Sequence, residues 1–129
     1  MTFDEVASMV EEIGYPSAYD HFAEGESPDP PFVVFLFPGT DNFKADGEVY
    51  QEITEVRIEL YTNKKSPDVE RKIEKVLKAH DIPWDKQEEW IADERLYEVY
   101  YDFDVFYDED GEDDEQIENG EESTGQDGP

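Results

Sequence analysis

The spacing of apolar residues changes several times along the chain, and each change marks an element. Phe3, Val6, Met9, Val10 and Ile13 recur at the three- and four-residue intervals of a helix with one buried stripe. Thr2 with Glu5 three residues later makes a capping box, in which each side chain satisfies the other residue's free backbone N–H. Gly14 is placed to end the helix in the left-handed conformation, so a helix is predicted over 3–13. Residues 14–31, GYPSAYDHFAEGESPDPP, read as a loop punctuated by Pro and Gly. FVVFLF (32–37) is apolar at every position, as expected of a central strand covered on each side. PGTDNFKADGEVY (38–50) follows, with Asp46-Gly47 as a hairpin-type turn, and 38–47 is expected to project from the fold.

In EITEVRIELYT (52–62) the period switches to two. Val56, Ile58 and Leu60 face one side and Glu55, Arg57 and Glu59 the other, the pattern of a half-buried antiparallel strand. Ser66 is placed to cap a second helix, Pro67 suits its first position, and Asp68 and Glu70 favour its positive end. Val69, Ile73, Val76 and Leu77 supply the apolar stripe up to about His80. Two more strands are predicted at 84–91 and 96–108. In the second, Tyr97, Val99, Tyr101, Phe103, Val105 and Tyr107 form a core face, while Glu98, Tyr100, Asp102, Asp104 and Phe106 alternate with them. The order αββαββ predicts an α/β (α+β) domain, a mostly antiparallel four-stranded sheet with both helices on one face.

Charge changes this picture at the C-terminal end. Of 37 acidic residues, ten fall in 109–129, EDGEDDEQIENGEESTGQDGP, with no basic residue and one aliphatic, Ile117. Such a stretch cannot bury enough to offset chain entropy. Residues 1–108 are therefore read as the single domain and 109–129 as a disordered acidic tail. Without the tail, 27 acids stand against ten bases, a net of −17. That charge disfavours contact with nucleic-acid phosphates and with anionic membranes. No apolar run approaches the about 18 residues of a spanning helix, and MTFDEVASMVEE lacks the features of a signal peptide. The absence of cysteine excludes disulfides and thiolate chemistry and fits an intracellular origin.

Catalytic motifs are missing: there is no Walker A sequence, no GxSxG and no HExxH. His21, beside Asp20 and Tyr19, and His80 are the only histidines, and lone histidines of this kind are far more often structural. Carboxylate pairs are too common here to single one out. DEDGEDDE (108–115) fails the EF-hand pattern, because Gly111 at loop position six would put Phe106 at position one. No enzyme activity, metal or cofactor is expected.

One departure from acidity stands out. Six of the ten Lys and Arg residues lie in 64–78 (Lys64, Lys65, Arg71, Lys72, Lys75, Lys78) against Asp68, Glu70 and Glu74, a local net of +3. The plain reading is a solvated helix face, with Glu74 and Lys78 as a favourable i,i+4 pair. The sharper one is a subunit contact: identical acidic subunits repel unless each offers a positive patch to a neighbour's negative one, as a head-to-tail contact does.

The phrases GYPSAYDHFAEGESPDPPFVVFLFP, NFKADGEVYQEITEVRIELYTNKKSPDVERKIEKVL and LYEVYYDFDV resemble small tail proteins of long-tailed bacteriophages and prophages of Gram-positive bacteria, the tail terminator or tail-completion group. The likeness spans about residues 3–108. It implies a virion structural protein that forms a hexameric ring at the head-proximal end of the tail tube, stops tube polymerisation and meets the head connector. It places the chain in the virion tail or neck, and in the host cytoplasm during assembly. The expected partners are the chain itself, the tail tube protein and head–tail connector proteins, with DNA passing through the ring but not specifically bound. The basic residues are then interface candidates. Asp41, Phe43, Lys44 and Asp46 of the projecting loop, with Tyr100, Asp102, Asp104 and Phe106, are candidates for contact with neighbouring tail proteins. A competing expectation is an acidic DNA mimic that blocks a basic DNA-binding protein through Asp102, Asp104 and Asp108. A cytosolic adaptor with no phage role is a third.

Overall fold

The computed structural model describes residues 1–45 and 47–107; Asp46, Asp108 and the acidic segment 109–129, expected to be disordered, lie outside them. Helix α1 runs from Phe3 to Glu11. The Thr2 hydroxyl accepts the Glu5 N–H at 3.1 Å and the Glu5 carboxylate accepts the Thr2 N–H at 2.8 Å, so the capping box forms. Gly14, at φ +95°, turns the chain out of the helix.

The segment expected to be a loop holds a strand. Strand β1, Ser17–Tyr19, lies parallel to β2, Phe32–Thr40, and the Asp20 N–H donates to the Phe35 carbonyl at 2.7 Å. Three residues between Pro16 and Asp20 carry no usable alternation, and their conformation is set by the neighbour they pair with. Of the segment 38–47 expected to project, residues 38–40 instead extend β2, pairing with β5, and the rest begins a small hairpin, β3 (Phe43–Ala45) with β4 (Glu48–Gln51) just beyond it and Gly47 at φ +79° in the turn. Strands β5 (Ile53–Thr62), β6 (Asp85–Ile91) and β7 (Leu96–Phe106) and helix α2 (Pro67–Ala79) follow the predicted pattern closely. Ser66 takes the N-cap position of α2 in an extended conformation, but its side chain makes no capping hydrogen bond.

The main sheet therefore has five strands rather than four, in the order β1-β2-β5-β7-β6, and is mixed because β1 is parallel to its neighbour while the other pairs are antiparallel. Its register aligns Val33 with Leu60 and Val99, and Phe35 with Ile58 and Tyr101, on one face. Against that face pack Val6, Met9 and Val10 of α1 and Ile73 and Leu77 of α2, all buried. Burying each of these aliphatic side chains stabilises the fold by about 1.5–3 kcal/mol. The opposite face carries no helix. At its β2 edge, Phe32 stacks on Tyr61 at 5.1 Å and meets Phe22 edge-on at 5.4 Å. Phe22 comes from the 20–31 connection, so β2 is apolar on both faces because a loop rather than a helix covers the second one.

Candidate functional site

Helices on one side only give the molecule two unlike outer surfaces. On the outside of α2, Arg71, Lys75 and Lys78 fall at i, i+4 and i+7 and form one exposed stripe, with Lys64 exposed just before the helix. Among the described residues these four cations have no ion pair. The other two basic candidates are engaged within the molecule. The Lys72 ammonium lies 5.0 Å from the Tyr15 ring centre, a cation–π contact. Lys65 bridges Glu70 at 2.6 Å and also reaches Glu88.

Glu70 is the residue sequence reasoning missed. Its place in the first turn of α2 suggests only a helix-dipole charge, yet it is only 5% exposed. Its position explains this: 70, 73 and 77 share the helix side occupied by Ile73 and Leu77. Lys86 on β6 completes the arrangement, 2.8 Å from Glu70 and 2.7 Å from Glu74, and the Tyr101 hydroxyl donates to Glu74 at 2.9 Å. Burial pushes the Glu70 carboxyl up, but the two ammonium groups outweigh it and hold the group below the usual carboxylate range. A helical-period scan that admitted polar residues to the stripe would have found Glu70. Lys86, the single cation in DKQEEWI, was visible but had no assignable partner.

The helix-free sheet face is acidic. The register sets Arg57 opposite Asp102 and Glu59 opposite Tyr100 across β5 and β7, and Glu89 opposite Glu98 across β6 and β7. Arg57 grips Asp102 with two hydrogen bonds, 2.7 and 3.2 Å, and lies 4.4 Å above the Tyr100 ring. The Tyr100 hydroxyl donates to Glu89 at 3.0 Å. Beside them, the Tyr61 hydroxyl lies 2.9 Å from Glu59 and 3.3 Å from Glu98. Burial, then the charge of Glu59, pushes the Glu98 carboxyl up to about 7. Among the described residues neither Glu59 nor Glu98 forms an ion pair of the kind Glu70 does.

Across one end of this face runs a groove of about 610 Å³. Its floor is Glu55, Arg57, Asp102 and Asp104 on β5 and β7, with Pro38 at the β2 side and Trp84 and Asp85 at the β6 side. The groove exists because β6 stops short. Asp85 pairs with Asp102, so continuing the ladder would set Pro83 opposite Asp104, and proline has no N–H to donate. The chain turns inward there, and Trp84 packs edge-on to Tyr101 at 6.3 Å.

The structure thus brings Tyr100, Asp102 and Asp104 together on one face. Phe106, 65% exposed, lies at the sheet end where Ile53 joins the β3–β4 hairpin. Asp41 and Lys44, both exposed, belong to that hairpin and its root, where the Asp41 N–H donates to the Ile53 carbonyl at 2.8 Å. Phe43 pairs with Gln51 in the hairpin, and Asp46 lies outside the described residues. His21 is exposed beside Asp20 at 2.8 Å, and His80 caps α2 with Nε2 3.1 Å from Glu12; the two are far apart in the chain and share no cluster with a nucleophile. Among the described residues no group of three or more His, Asp or Glu side chains is placed to hold a metal ion, and no helix is long and apolar enough to cross a membrane. The stretch 108–115, weighed for calcium, lies outside the described residues. No protein-family model matches the chain, and no curated protein matches it significantly.

Proposed function

We propose that this chain is a virion structural protein, the terminator or completion protein of a long phage tail, which assembles head to tail into a ring on the tail tube, ends tube growth and joins the tail to the head. One observation carries the reading: the basic stripe of α2 and the acidic sheet face lie on opposite sides of the molecule, with the exposed acids of α1 (Asp4, Glu5, Glu11, Glu12) beside the stripe rather than within it. The basic stripe faces outward from α2, and the acidic sheet face lies on the far side of the same sheet. A body charged in this way cannot satisfy itself and cannot pair symmetrically through either face alone. It associates by presenting one face to the other face of the next copy, a contact that builds a ring when the rotation between successive copies closes. Six copies per ring come from the family resemblance. Acidic surface left on the ring's inner wall lets DNA pass without adhering, because phosphates meet few cations there. The hairpin with Asp41 and Lys44, and exposed Phe106 next to it, form a rim suited to the tube or connector proteins.

Electron microscopy of a lysate in which this reading frame is stopped early tests the proposal. Overlong or irregular tails separated from filled heads identify a terminator; normal-length tails separated from heads identify a completion protein. Intact infectious particles would overturn the structural role.

A specific observation also favours the DNA-mimic reading. Cations on a mimic's binding face would defeat it, but here the basic stripe lies behind the sheet, and the acidic face includes Glu59, Glu89, Glu98, Asp102 and Asp104 with Arg57 already paired. A salt-sensitive complex with a basic DNA-binding protein, together with normal particles in the stopped frame, would establish it.

A further inference from the structure

We infer that the groove across the helix-free face is the receptor for the Arg71–Lys75–Lys78 stripe of a second copy of this chain. The inference rests on the head-to-tail reading and assigns its acceptor surface. Four carboxylates and one guanidinium line the groove, and Arg57 is committed to Asp102 by two hydrogen bonds. Glu55, Asp85 and Asp104 remain, and among the described residues none of the three has an ion pair. Three unpaired carboxylates face outward on one side of the molecule, and three unpaired cations face outward on α2.

Their dimensions agree. The stripe spans seven residues of helix, roughly 10 Å at 1.5 Å per residue. The carboxylates come from three adjacent strands, β5, β7 and β6, which lie about 4.8 Å apart, so the patch is also roughly 10 Å wide. Pro38 and Trp84 bound the groove on its two sides and supply apolar walls against which lysine and arginine stems pack while their charged heads reach the acids. Lys65 and Lys72 are excluded as donors, because Lys65 holds Glu70 and Glu88 and Lys72 sits on Tyr15. The helices lie behind the sheet that carries the groove, so the stripe cannot reach the groove of its own molecule.

The test is a charge exchange in the full chain, followed by sedimentation velocity at concentrations up to the millimolar range. One variant carries Arg71→Glu, Lys75→Glu and Lys78→Glu; the other carries Asp85→Lys and Asp104→Lys. All five positions are exposed, and circular dichroism confirms that each variant is folded. The expected result is that the wild-type chain associates, each variant alone loses association, and a one-to-one mixture regains it. In the mixture every contact is again between opposite charges, in strict alternation. Loss of association in the α2 variant but not in the groove variant would overturn the groove as receptor while leaving the head-to-tail reading intact. A wild-type chain and a mixture that both stay monomeric would overturn the contact itself, and the stopped-frame particles would then judge the tail function independently.

Discussion

The two faces of the central sheet solve the same problem in opposite ways. Each holds glutamates and a tyrosine hydroxyl drawn from two or three elements. Behind the sheet, Glu70 is buried, and two lysines from separate segments, Lys65 and Lys86, close on it at 2.6 and 2.8 Å. On the open face, Glu98 sits among Glu59, Glu89 and Tyr61, and the one cation that β5, β6 and β7 turn to this face, Arg57, is held by Asp102. One carboxyl is held below its ordinary range and the other is pushed above it. Burial acts in the same direction on both; the placement of cations decides the sign. The rear network therefore ties α2 to β6, while the open face stores unrelieved repulsion that a cationic partner would relieve.

The largest expected effect comes from breaking the rear network. Glu70→Ala leaves two ammonium groups partly desolvated and facing each other, and is expected to cost about 2–3 kcal/mol in urea unfolding. Both lysines are more than a third exposed, which keeps the cost below that of a fully buried pair. Because the folded Glu70 pKa is depressed, this contribution is present above the unfolded value near 4.5 and is lost as pH falls through the lower folded value. A cost below about 0.5 kcal/mol would reduce Glu70 to an ordinary surface charge.

The open face predicts the reverse slope. A carboxyl raised to about 7 binds its proton more tightly in the folded state than in the unfolded chain. Its contribution to stability is present below about pH 4.5 and disappears as pH rises to about 7. Glu98→Gln removes the titrating group and the repulsion with Glu59 and Glu89. The variant is expected to melt a few degrees above the wild-type chain at pH 8 and near it at pH 5. Equal melting differences at the two pH values would place the Glu98 carboxyl in ordinary solvent, with no burden from its neighbours.

Most of the fold was legible because it is written in short-range periods. The capping box at Thr2 and Glu5, the switch to period two at Val56–Ile58–Leu60, and Pro67 at the start of α2 each fix their element locally. Strand β1 was not legible, since Ser17–Tyr19 becomes a strand only by pairing with β2. The candidate surfaces were half legible for a related reason. The basic island shows in the sequence, but which of its members are free depends on Glu70, Glu88 and Tyr15, brought in by packing. The groove depends on where a ladder stops, and only the β6–β7 register makes Pro83 significant.

The smallest expected effect isolates what Arg57 contributes to the acidic face. Arg57→Lys keeps the charge but loses the two-pronged grip on Asp102 and the flat contact above Tyr100. Arg57 and Asp102 are both about a third exposed, so water competes for the pair, and the expected cost is about 0.5–1 kcal/mol by urea unfolding. The informative comparison is with Arg57→Met, which leaves Asp102 unpaired beside Asp85 and Asp104. If lysine costs as much as methionine, geometry rather than charge holds the pair together. If lysine costs almost nothing and methionine about 1 kcal/mol, charge alone matters there. Arg57 then acts mainly by neutralising one of the groove's four carboxylates, and removing it would make the groove more negative and a stronger receptor for cations.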